Sequence, residues 1–227
     1  MADGSGRFRG KELAKATMTG IASAKKTYHH GDLRQALITR AVEVIDESGV
    51  ADISLRSLAR DLGVSHGAPT RHFKNKVGLL EAIALQGVEG LFNAVSNSSN
   101  SAGTADDGSA LATAKRRLVD FSHAYVQWAH DNPGYHRTLR NSDVMRHASS
   151  ALRERLQDMA HANKVLITDA QRHGWRRDTP IETLFLHVVS LTAGMALVVT
   201  DPSYRNPIPD VPNEDVLRSA LEVLVID

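Results

Sequence analysis

The stretch from Ser54 to Lys76, SLRSLARDLGVSHGAPTRHFKNK, limits the fold more than any other part of the chain. Ser54 is an N-cap residue, and Leu55, Leu58, Ala59 and Leu62 recur at helical spacing. Gly63 then stops the helix in a backbone conformation that a residue without Cβ adopts cheaply. A second short helix is predicted to follow at once, capped by Ser65, with Val64 filling the angle between the two and Phe73 closing against the core. Two helices meeting steeply through a tight glycine turn form a helix-turn-helix, whose second member fits the roughly 12 Å wide major groove of B-DNA. From Ser65 to Leu80 there is no acid, while His66, Thr70, Arg71, His72, Lys74 and Lys76 supply hydroxyl, imidazole and cationic donors. Two amphipathic helices joined by glycine also occur with their cations as a plain solvated face, so the flanks matter.

A formal net charge of +1 does not announce a nucleic-acid binder, and the distribution of charge carries the argument instead. Residues 1–27 hold Arg7, Arg9, Lys11, Lys15, Lys25 and Lys26 against Asp3 and Glu12, with almost no large apolar side chains. That composition predicts a flexible basic arm, which either follows phosphates and adds salt-dependent affinity or is a solubilising tail. The chain has no cysteine, which excludes disulfides, thiolate zinc sites and a cysteine nucleophile and suits a reducing cytoplasm. No charged-then-apolar leader is read at the N-terminus. The longest apolar run, Leu184 to Val199, is interrupted by His187, Ser190, Thr192 and Gly194 and reads as short for a membrane span.

Tyr28 to Arg34, YHHGDLR, the helix that follows it, and the close from Thr70 to Lys76, TRHFKNK, continued by Val77 to Leu80, resemble the TetR family of bacterial transcriptional regulators. The resemblance is motif-specific over about Tyr28 to Leu91 and architectural beyond. It is strongest to the branch that opens with YHHGDLR and carries AAPYRHF in the reading helix; Thr70 stands where that branch usually has tyrosine. The Trp-x-x-x-His-Gly signature frequent in that branch is replaced here by Val189 and Ala193 before Gly194. The resemblance implies an all-α fold, with an N-terminal three-helix helix-turn-helix domain (28–75) behind the arm (1–27) and a larger C-terminal helical domain (76–227) for effector binding and dimerisation. It also implies that His30, beside Gly31 at the start of the first helix, lies near a DNA backbone.

Within the reading helix, Pro69 sits about one turn in, where a missing N–H costs little, and Gly67 and Ala68 keep the surface low. Arg71 is the best guanine reader, because its fork can meet O6 and N7 together; a phosphate or a neighbouring acid is its other partner. His66 and Thr70 are lesser base contacts. Ser54, Arg56, Ser65, His72, Lys74 and Lys76 belong with the phosphate backbone.

The rest reads as helical. Asp32 caps a helix carrying Leu33, Leu37, Ala41, Val44 and Ile45. A long helix from about Lys76 to Val95, with a seam through Val77, Leu80, Ala84, Val88, Leu91 and Val95, joins the two regions, so that a shift at its far end tilts the reading head. Asn97 to Ser109 is a polar low-complexity loop. Later seams run through Leu111 to Trp128, then from Val144 to His173, where Asn163 interrupts the apolar positions and is either satisfied by backbone or marks a ligand cavity. Ile181 to Val199 and Val216 to Val225 read as apolar on nearly every side, which predicts burial against a second copy of the chain in a four-helix interface.

The leading reading is a cytoplasmic, homodimeric, sequence-specific transcriptional regulator, more a repressor than an activator, released from a palindromic operator by a small, largely apolar effector. Phe92, Phe121, Tyr125, Trp128, Tyr135, Met159, Asn163, Phe185 and His187 are its expected pocket walls. An architectural DNA-binding protein without an effector is the alternative. An enzyme is not expected: no two of the eleven histidines stand four apart, and no glycine-rich phosphate loop or serine elbow occurs. Neither a metal nor a cofactor is called for. Asp143 with His147 and Asp169 with His173 read as surface pairs.

Overall fold

A computed structural model describes residues 33–101, 109–204 and 214–226. The expected arm, His30 and the Asp32 cap lie outside the described residues. Among those described, every regular element is helical, as the periodicity predicts.

The reading head is built from α1 (Leu33–Ser48), α2 (Leu55–Asp61) and a 3-10 turn at Pro69–Arg71. Leu37, Ile38, Ala41 and Ile45 of α1 are fully buried against Leu58 of α2, together with Phe73 and the start of the next helix. The Oγ of Ser54 accepts from the Ser57 N–H at 3.5 Å, which caps α2. At the other end Gly63, with φ +67°, lets its own N–H reach Arg60 O (3.1 Å) while the Val64 N–H reaches Ala59 O (2.9 Å). This Schellman closure satisfies carbonyls that the helix end leaves open and throws the chain steeply aside.

The second helix of the motif differs from expectation. It is a turn followed by the short 3-10 segment, and Ser65 does not cap it through its side chain. Pro69 explains this: an α-helix here needs a residue-69 N–H donating to Ser65 O, and a proline has none. Ser65 O accepts instead from the Ala68 N–H at 2.9 Å, and the Thr70 hydroxyl donates to Gly67 O at 2.8 Å.

From this head α3 (Lys76–Ser101) runs into the remainder of the molecule. Leu79, Leu80, Ile83, Ala84 and Val88 belong to the head-side core, and Leu91 and Val95 to a second core. Two expectations shift. Val77 is 40% exposed rather than part of the seam, and the helix continues through Asn97 to Ser101, since no glycine or proline intervenes and Ser98 Oγ donates back to Val95 O.

The second core is made by α4 (Ala110–Asp131), α7 (Ser150–Arg172), α8 (Ile181–Thr200) and α9 (Glu214–Glu222) around the far half of α3. Between the cores lie two short helices, α5 (Pro133–Leu139) and α6 (Ser142–Arg146). The seam predicted to start at Val144 is therefore split: Asn141 caps α6, Ser149 caps α7, and Ala148 is buried between them.

Helix α9 is amphipathic rather than apolar all round. Leu217, Leu221 and Leu224 at one-turn spacing are buried, Val223 is 54% exposed, and Arg218 is paired with Asp120 of α4. Helix α8 is apolar over most of its surface but buries one stripe, Leu184, Val188, Thr192, Ala196 and Val199. At 20 residues it is long and apolar enough to cross a membrane by length and composition alone, a test that the core helix of a globular protein also passes.

Candidate functional site

The first candidate site is the exposed tip of the head. Ser54, Arg56, Ser65, His66, Gly67, Thr70, Arg71 and Lys74 are exposed there, and His72 is half-buried. Among the described residues, no ion pair occupies Arg56, Arg71 or Lys74. Two expected contacts are partly spent inside the protein: the Ser54 hydroxyl caps α2, and the Lys76 ammonium donates to Ala51 O at 2.8 Å. The nearby acids are held elsewhere, because Arg40 on α1 pairs with Glu43 (2.8 Å) and Asp61 (3.2 Å), tying α1 to α2 on a flank. Below the tip, the Arg34 guanidinium lies over the Phe73 ring at 5.3 Å. The tip is thus a donor-rich surface, without an acid from Ser65 to Leu80.

The second candidate site is a cavity of about 190 Å³ between α4, α7 and α8. Phe121 and Tyr125 of α4, Met159 and Asn163 of α7 and Phe185 of α8 border it, five of the residues expected from sequence. Leu156, Ala160, Val189, Thr192 and Ala193 complete its wall. The other four expected residues lie elsewhere. Trp128 is buried in the core against Gly90, where its Nε1 stands 3.2 Å from an ideal Cβ position. Tyr135 donates its hydroxyl to Gln86 at 3.3 Å between the two cores. Phe92 lies beneath the Arg155 guanidinium, which is 4.9 Å from the ring centre and bonded to Glu89 at 2.6 Å, while His187 is on the exposed side of α8.

Of the two readings for Asn163, the backbone one fails at its oxygen. Asn163 Oδ1 is buried with no hydrogen-bond partner, and so is Thr192 Oγ1 on the opposite wall. Burial pushes the Tyr125 phenol above its usual pKa, so it stays protonated. Among the described residues, no ionisable group other than this phenol lines the cavity.

Sequence reasoning missed the joint between the two sites. Gly134 of α5 lies against α1, and three residues on, Arg137 donates to Ile45 O (2.9 Å) and Asp46 O (3.1 Å) at the end of α1 and to Thr200 O (3.4 Å) at the end of α8. Its neighbour His136 is 1% exposed and meets the ring of Tyr125, a cavity wall, edge to face at 6.0 Å. Burial, with Arg140 and Arg137 nearby, lowers the His136 pKa to about 4, so the ring is neutral. The sequence does predict a short helix after Asn132-Pro133-Gly134, to about Arg140, and α5 is that helix; what it does not show is the contact that Arg137 makes with the ends of α1 and α8.

Among the described residues no cluster of His, Cys, Asp and Glu is placed to hold a metal. Asp169 meets His173 at 3.7 Å as expected, whereas Asp143 pairs with Arg146 and His147 Nδ1 bonds to the Asp143 carbonyl.

The geometry agrees with comparison to known proteins. Residues 37–83 match the family model described as bacterial regulatory proteins, tetR family. The HTH-type transcriptional regulator BetI of Ectopseudomonas mendocina is 45% identical over 49 residues, 22% of this chain and 25% of that protein. The chain spans about a quarter to a half of the length of the curated relatives it matches first. Whole-chain likeness comes from solved structures: a protein of unknown function from Rhodococcus sp. RHA1 (TM-score 0.70, 26% identity, 88% of this chain and 96% of that one) and the TetR family regulator PfmR of Thermus thermophilus (TM-score 0.62, 20% identity, 83% and 96%). The head, over residues 37–83, thus matches the tetR family of bacterial regulatory proteins, and the all-helical frame behind it has the fold of those solved structures.

Proposed function

We propose that this chain is a sequence-specific DNA-binding repressor of transcription, working in the cytoplasm as a homodimer and released from its operator by a small, largely apolar effector. The observation that carries the reading is the acid-free tip, with the side chains of Arg71 and Lys74 free of ion pairs on a head whose residues 37–83 match the family model. Arg71, His66 and Thr70 read bases, with Gly67 allowing close approach; Ser54, Arg56, Ser65, His72, Lys74 and Lys76 hold phosphates. His30 and the basic arm add contacts to the backbone.

Residues 28–75 form the DNA-binding unit, and 76–227 the effector and dimer unit. Leu186 is 66% exposed on α8, and Val223 and Ile226 are 54% and 59% exposed at the C-terminal end, which supports pairing through α8 and α9. The cavity with its two unpartnered oxygens supports effector control over a purely architectural role. Effector binding moves the walls on α4, α7 and α8. The long α3 and the α5 joint pass that motion to α1.

A genome-wide selection of DNA fragments by the purified full chain tests this. Recovery of a palindrome with half-sites about one turn apart, and its loss for Arg71→Ala, is expected. A monomeric protein in sedimentation, or binding indifferent to sequence, refutes it.

A further inference from the structure

The cavity holds more chemistry than an apolar hole. Lys164 of α7 stands 4.0 Å from Glu182 and 5.1 Å above the ring of Phe185, both on α8, so residue 164 is level with the start of α8; because earlier residues of α7, from Leu156, line one cavity with later residues of α8, to Ala193, the two helices run antiparallel. On that register Asn163 and Phe185 share one end of the cavity, and Leu156 faces Thr192 and Ala193 at the other. Seven residues separate Leu156 from Asn163 and Phe185 from Thr192, which at the α-helical rise is about 10 Å. The space between is walled by Phe121, Met159, Ala160 and Val189.

Each end carries one neutral polar group whose oxygen is unsatisfied. Asn163 is 5% exposed and Thr192 6% exposed, and neither Asn163 Oδ1 nor Thr192 Oγ1 has a partner. A buried polar atom without a partner costs free energy that a ligand supplying the hydrogen bond recovers. Among the described residues no charged side chain lines the cavity, and Lys164 beside it pairs with Glu182 and lies over the Phe185 ring, so no lining charge compensates an ionised ligand for lost water.

We infer that the effector is an elongated, uncharged molecule, apolar along its middle, with a hydrogen-bonding group near each end: one read by Asn163, the other by Thr192. This rests on the reading of the cavity as the effector site. A hydroxyl suits both positions, because it donates to the amide oxygen and either donates to or accepts from the threonine hydroxyl.

The test uses the full-length protein and rigid probes whose terminal oxygens stand about as far apart as the two polar side chains: 4,4'-dihydroxybiphenyl, 4-hydroxybiphenyl, biphenyl and biphenyl-4,4'-dicarboxylate, with affinities read by tryptophan fluorescence or calorimetry. Each hydroxyl is expected to improve affinity about tenfold, and the dicarboxylate to bind at least a hundredfold more weakly than the dihydroxy compound. In Asn163→Leu and in Thr192→Val the advantage of the second hydroxyl should vanish while 4-hydroxybiphenyl keeps its affinity. A general loosening of the fold would weaken all probes alike, and that outcome overturns the inference. So does a dicarboxylate that binds as well as the dihydroxy compound, or hydroxyls that add nothing over biphenyl; in both cases the cavity remains the effector site. If no probe binds at millimolar concentration, the cavity reading fails with it.

Discussion

Replacing Gly134 by alanine should weaken the protein, although alanine is the better helix former. An ideal Cβ at this position stands 2.9 Å from Val42 O, 2.9 Å from Asp46 Oδ1 and 3.0 Å from Val42 Cγ1, all on α1. The Asp46 carboxylate can rotate away, at the cost of the contact it makes with the Gly134 N–H. The Val42 carbonyl is bonded within α1 and cannot, so α5 must back off by several tenths of an ångström. That movement also lengthens the bonds from Arg137 to Ile45 O and Asp46 O, now 2.9 and 3.1 Å. Overpacking of a close contact costs about 1 to 3 kcal/mol, and the propensity gain from glycine to alanine returns at most about 1. The net expectation is a loss of about 1 to 2 kcal/mol, or a fall in Tm of about 2 to 8 °C for a chain this size. Urea unfolding followed by circular dichroism measures the first and a thermal melt the second. Because α5 touches both the α1 end and the Tyr125 wall, the variant should also couple effector to operator release less strongly at unchanged effector affinity. A Gly134→Ala protein as stable as the parent, with Arg137→Met equally silent, would falsify the picture of α5 as a tight joint.

Gly63→Ala should cost about 1 to 2 kcal/mol from backbone strain alone, since φ is +67° and no atom lies within 4 Å of the added Cβ; an unchanged urea midpoint would contradict the Schellman closure. His136 is neutral when folded, with a pKa of about 4 against 6.5 in the unfolded chain, so the unfolded state binds the extra proton. Stability should therefore be at its plateau above pH 6.5 and be lost progressively down to about pH 4, and denaturant midpoints between pH 7 and 5 that do not fall would argue against its burial. Arg71→Ala should cost about 1 to 3 kcal/mol at one operator position and relax base choice there. Lys74→Ala should weaken all sequences alike and flatten the dependence of log K on log salt by about one unit, which a salt titration of both variants separates.

Local signals on the chain were enough for the head's outline. Ser54 as a cap, Gly63 as a stop and the helical-period return of Leu37, Ala41 and Ile45 are short-range effects of hydrogen bonding and side-chain period, and all appear in the structure. The 3-10 form of the reading turn was also legible in principle, because Pro69 removes one identifiable N–H. Five cavity residues were found because seams at helical spacing place them on inward faces of α4, α7 and α8.

What the sequence alone settled is therefore the local layer: all-helical elements, where most of them stop, and an acid-free tip. Only packing across long separations decided the rest. Trp128 and Tyr135 have the same apolar character as Tyr125, yet which aromatic faces a void depends on how α4, α5 and α7 sit together. Arg137 looks like any surface arginine until α1 and α8 bring three carbonyl groups to it from 91, 92 and 63 residues away. Nearest-neighbour energetics writes the first layer into the chain; the second exists only once distant helices meet.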